Sequence, residues 1–198
     1  MENENLSPEQ SLEIINQMVR RAQNNLSNNG FYFIFWGWLV FVTSILFYLL
    51  IEINCDNPWM VWMLMFAGCI YSIVHPFLLK RKNEEKAPRM KTYVETYLGY
   101  LWIAFGISLF IVLSMGFCLK EATYPVVIML YGIGTFVSGG LLNFSPLKIG
   151  GACNFGISVL AFLVNFKIQI LLLSLSLLIS YIIPGHLLRN KFNNRKSP

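Results

Sequence analysis

Charged residues cluster along this chain and leave six uncharged runs between them: Phe31–Ile51, Asn57–Leu79, Thr96–Leu119, Ala122–Leu147, Ile149–Phe166 and Ile168–Leu188. They hold 21, 23, 24, 26, 18 and 21 residues. A helix needs about 20 apolar residues to cross about 30 Å of hydrocarbon. The pattern therefore predicts an all-α integral membrane protein with six transmembrane helices. Lys167 alone separates the last two runs, whose 39 uncharged residues are too many for one span and suit a tight hairpin.

Ahead of the first run the pattern changes. In "SPEQSLEIINQMVRRAQNNLSNNG" (7–30), Leu12, Ile15, Val19, Ala22 and Leu26 recur at three- and four-residue steps. That spacing makes one apolar stripe on an amphipathic helix. Ser7 can cap it, Pro8 suits its first turn, and Gln10 completes a capping box. Asn28, Asn29 and Gly30 are expected to stop it before the first span. The stripe reads as a face lying on the inner leaflet or on the cytoplasmic helix ends, or as a partner-docking or dimerisation surface. Residues 1–30 lack the apolar core of a signal sequence, so the first span is expected to serve as its own insertion signal.

The spans resemble one another. Phe-Gly-Ile-Ser occurs at 105–108 and again at 155–158, and "WGWLVFVTSILF" (36–47) aligns with "LGYLWIAFGISL" (98–109) through Gly37 and Gly99. "IVHPFLLKRK" (73–82) and "IIPGHLLRNK" (182–191) end two even-numbered spans in one cadence. Three parallel two-helix hairpins are expected, about 30–82, 93–147 and 148–191, as an internal triplication about an axis along the membrane normal. The chain then divides into the amphipathic helix (1–29), the six-helix domain (30–191) and a basic tail (192–198). Small residues four apart (Ala104/Ser108, Gly134/Ser138, Thr135/Gly139, Ala152/Gly156) predict close helix packing.

Composition agrees with the pattern. Hydrophobic residues make up 56% and charged residues 13%, against roughly 25% charged in a soluble domain. With the N-terminus inside, 13 lysines and arginines fall in cytoplasmic segments, and Lys120 and Lys167 alone fall outside. This asymmetry orients the chain with both termini in the cytoplasm. Trp59 and Trp62 at one surface, and Tyr93, Tyr97, Tyr100 and Trp102 at the other, fit the aromatic belts. The net charge of +5 is explained by anionic inner-leaflet headgroups, at about 1 kcal/mol per basic residue near the surface. No soluble segment is large enough to bind nucleic acid.

Chemistry is sparse. Glu52, Asp56, Glu95 and Glu121 lie at span borders, so an acidic ion-coupling relay is not expected. Asn143, Asn154, His75 and His186 are candidate polar lining residues, with Asn165, Gln169 and the serines of the last span. His75 and His186 sit beside Pro76 and Pro184, where they can bond carbonyls freed by proline; neither a metal site nor another cofactor is expected. Ser138 and His186 invite comparison with rhomboid proteases, but Phe136 replaces the motif glycine and the two residues lie at different depths. Cys69 and Cys153 are expected to pack inside spans, and Cys55 and Cys118 to lie at the outer face, bridged or as free thiols.

The runs "NNGFYFIFWGWLVF", "GYLWIAFGISLFIVL" and "LYGIGTFVSGG" resemble small uncharacterised multi-pass proteins of the bacterial inner membrane. The resemblance implies that compartment and no activity. The expectation is a non-enzymatic scaffold, regulator, or lipid- or partner-binding membrane protein, with a membrane-protein partner or homo-oligomer. The alternative is a transporter or channel for a small, weakly charged molecule. An intramembrane hydrolase is a distant third.

Overall fold

A computed structural model describes the backbone of residues 7–82 and 93–193, all of it helices and short connections with no strand. The side chains of residues 8, 9, 11, 17–32, 76–82 and 191–193 lie outside the description. Helix α1 covers Pro8–Glu52, α2 Met63–Lys82, α3 Tyr93–Ser114, α4 Gly116–Leu119, α5 Thr123–Leu141, α6 Ser145–Ala161, α7 Phe166–Leu177 and α8 Ile183–Asn193. A π-turn at Leu178–Ile182 joins α7 to α8, and single 3-10 turns cover Pro58–Trp62 and Lys120–Ala122.

Among the described residues, five stretches are long and apolar enough to cross a membrane: Phe33–Glu52, Pro58–His75, Tyr93–Ser114, Gly116–Leu141 and Phe166–Asn190. The fifth uncharged run forms α6, which at 17 residues is about 25 Å long and stands outside that set. Against the expectation of six, the described residues hold five such stretches, because α6 is too short to join them.

The N-terminal helix departs from expectation in one respect. Ser7 caps it, with its hydroxyl accepting from the Gln10 amide at 3.2 Å and the Gln10 side chain accepting from the Ser7 amide at 2.9 Å. Asn28, Asn29 and Gly30 do not stop it, and α1 runs unbroken from Pro8 to Glu52. Those residues have weak helix propensity, roughly 0.5–1 kcal/mol each. No proline follows Pro8 before Pro58, so nothing forces a break.

The core is built around α5, α6 and the last span. α1 runs antiparallel to α7–α8: Glu52 meets Lys167 at 2.9 Å, and Gly37 lies against Tyr181 and Ile182. α5 and α6 pack antiparallel at glycines. A Cβ on Gly151 would stand 2.5 Å from the Phe136 amide nitrogen, and one on Gly139 2.6 Å from that of Lys148. These two helices belong to different units of the expected hairpins. α3 touches the core through Trp102 and Phe105, whereas Gly99 and Gly106 on the same helix have no atom within 4 Å of the space a Cβ would take. The Ala152/Gly156 pair and Ala104 also face outward.

Candidate functional site

The polar residues of α6 and the last span meet inside the bundle, where backbone groups are already paired within helices and leave few partners. Asn154, fully buried on α6, donates from Nδ2 to Ser180 Oγ at 3.0 Å. Ser180 Oγ donates to the Ser176 carbonyl at 2.7 Å. One turn along α6, Ser158 donates to the Pro125 carbonyl at 2.9 Å. Gln169 donates to the carbonyls of Ala161 and Val164 at 3.1 and 3.2 Å. The result is a polar seam through the α5–α6–α7 contact.

Beside it lies an aromatic centre. The Tyr181 ring stands 5.4 Å from Tyr131, 5.7 Å from Phe33 and 6.1 Å from Trp102, bringing together α5, α1, α3 and the π-turn. Tyr181 Oη, Asn154 Oδ1, Ser138 Oγ and Gln169 Oε1 are buried without a hydrogen-bond partner among the described residues. The seam offers hydroxyl and amide groups and no charge, an arrangement for neutral hydrogen bonding.

The four candidate lining residues part company. Asn154 lies in the seam. Asn143 is an exposed turn residue with φ 47°, accepting from Lys148 Nζ at 3.2 Å. A short polar side chain tolerates that left-handed conformation, so its role is to turn the chain from α5 into α6. The His186 ring bonds the Ile182 carbonyl at 2.9 Å through Nδ1, a turn behind itself and two residues past the carbonyl that Pro184 would leave free in an α-helix. His75 stacks 5.2 Å from Tyr71 on α2. Helix α8 packs on α1 and α6, while α2 packs on α1.

Leu12 and Ile15 are exposed on α1, at 60% and 55%. Val19, Ala22 and Leu26 lie outside the described side chains. All four cysteines are free and exposed. Cys69 and Cys153 therefore face outward from their helices instead of packing inside; at Cys153 this is because the inward face of α6 is taken by Gly151, Asn154 and Ser158. No group of His, Cys, Asp and Glu among the described residues could hold a metal ion.

The π-turn and the aromatic centre were invisible to spacing rules. Pro184 was the one sequence sign of an irregular last span, and Tyr181 looks like any interfacial tyrosine until rings from three helices surround it. Comparison with protein-family models, with characterised proteins and with solved structures finds no match to this chain.

Proposed function

We propose that this is a non-enzymatic protein of the bacterial inner membrane that serves as a platform for a second membrane protein. One observation carries the reading. The apolar stretches at Pro58–His75 and Tyr93–Ser114 are each only 6% buried within the chain, against 56% and 50% for Gly116–Leu141 and Phe166–Asn190. Helices associate in lipid through close packing, which α5, α6 and α7 use on their inward faces. α2 and α3 use little of theirs, and the bare glycines of α3 leave a flat face for another helix.

The platform reading includes six spans in three parallel hairpins, with both termini cytoplasmic. The charge asymmetry supports that orientation, and the Glu52–Lys167 pair supports a crossing by α6, since it brings the end of α6 level with the end of α1. The exposed Leu12 and Ile15 add a docking element on the cytoplasmic side, and basic residues there meet anionic headgroups. Homo-oligomerisation through the same faces is the version in which the partner is a second copy.

The second reading, a path for a small, weakly charged molecule, is favoured by the polar seam at Asn154, Ser158 and Gln169. Against it, the glycine contacts bring α5 and α6 together with no space between them. Photo-crosslinking from Ile103 and Phe66 in native membranes decides between the two. The platform predicts discrete protein adducts at both positions, weakened by Gly106→Trp. Absence of adducts, with a small molecule co-purifying, would overturn it in favour of a path.

A further inference from the structure

The last span carries one residue too many for an α-helix, and the surplus sits in the π-turn, where the Ile183 amide reaches back five residues to the Leu178 carbonyl. We infer that this turn is a register switch. The extra residue can pass down the chain, so that α8 slips by one residue relative to the bundle while α7 stays in place.

Four features of the turn support a slip. First, Pro184 has no amide hydrogen, so one carbonyl loses its partner in either register: Ile179 in the wide turn, Ser180 in an α-turn. The backbone ladder thus discriminates weakly between the two states. Second, the surroundings are smooth. A Cβ on Gly150 would stand 2.9 Å from both the Ile179 oxygen and Ser180 Cα, and one on Gly37 2.9 Å from Tyr181 Cβ. Both neighbouring helices thus present bare backbone to the moving part.

Third, the sequence after the turn is doubled. In a slip each residue takes the place of the next. Leu187, now exposed, would enter the buried place of Leu188, and Ile183 that of the buried Pro184. His186 and Arg189 would move to places that are already exposed. Aliphatic side chains therefore fill the core in both registers. Two fits are poor: Pro184 in the place of Gly185, where a Cβ would meet Ile34 Cγ1 at 2.9 Å, and Tyr181 in the place of Ile182, which draws its ring away from Phe33, Trp102 and Tyr131.

Fourth, among the described residues one side-chain hydrogen bond joins the turn to another helix, Asn154 to Ser180, while Asn154 Oδ1 and the Tyr181 hydroxyl have no partner among them. A slip would turn the basic end of α8 by about 100° and shift it about 1.5 Å. Motions of this kind run on microseconds to milliseconds. The chemistry that α8 presents at the membrane surface would change, together with the ring contacts of Tyr181.

Cysteine reactivity tests the slip. In full-length protein in lipid nanodiscs, with the four native cysteines replaced by serine, Leu187→Cys and Leu188→Cys are labelled separately with a small membrane-permeant maleimide. Asn154→Leu should raise labelling at 188 and lower it at 187, changing the ratio about fivefold, as loss of one hydrogen bond implies. Adding Ile34→Ala, which makes room for Pro184, should increase the change. Deleting Ile179 absorbs the extra residue and should abolish it. A parallel rise at both positions would mean local loosening and would overturn the switch. An unchanged ratio, or a reciprocal change that survives the deletion, would do the same.

Discussion

Gly151 has no room to be anything else, because a Cβ there would press on the backbone of Phe136, and backbone cannot swing away as a side chain can. Gly151→Ala should separate α5 from α6 and lower stability by about 1–3 kcal/mol, read as a lower unfolding midpoint in detergent. Gly106→Ala on α3 meets open space and should stay within about 0.5 kcal/mol of the parent. The contrast tests the packing directly, since both are helical glycines in apolar surroundings. It also shows what spacing could not tell. Of the pairs four apart in the sequence, Thr135/Gly139 is buried, whereas Ala152/Gly156 faces outward and Gly151, one residue before, makes the contact. Spacing finds small residues and is blind to which side of the helix meets a neighbour.

Helices were legible wherever apolar length decided the matter, and illegible where a break or an irregularity rested on a few tenths of a kcal/mol. The uncharged runs located every long helix, because burying backbone in lipid leaves a helix no alternative. The expected stop at Asn28–Gly30 failed for the opposite reason: three weak formers are outweighed when a capped helix on one side joins a span on the other. Isolated helices of about 12–15 residues are marginal in water, so the segment before residue 28 draws support from that continuity. Asn29→Pro should therefore accelerate amide exchange throughout residues 12–27 while leaving exchange within Phe33–Glu52 unchanged. Uniform exchange in both proteins would mean that the segment stands alone. Deleting residues 1–27 should leave the membrane level of the protein intact, since burying three aliphatic side chains of the stripe is worth roughly 5–8 kcal/mol at most, far below the insertion energy of the spans. A loss of phenotype at normal level would assign the stripe to docking.

At the scale of the whole molecule, the distribution of charge and the path of α6 lead to one topology that can be checked position by position. Six crossings with the N-terminus inside would put 13 basic residues on one side and two on the other, and so predict Lys86 and Lys148 inside and Asp56 outside. Helix α6 starts beside Gly139, where Leu147 packs, and ends at Ala161, whose carbonyl accepts from Gln169. Two residues before Gln169, Lys167 meets Glu52 at the end of α1. Across its 17 residues the chain thus travels from the level of the α5–α6 turn to the level of Glu52. Seventeen residues lie at the short end of what spans a bilayer, so a crossing by α6 is the step of the proposed topology that the labelling has to test. Single cysteines at 56, 86, 148 and 167, in a background without the native four, separate the cases with a membrane-impermeant reagent on intact cells. Six crossings predict labelling at 56 and 167 and none at 86 and 148. If α6 stayed on one side, 148 and 167 would behave alike, and the last span would deliver Arg189 and the basic tail to the outside, against the bias set by every other loop.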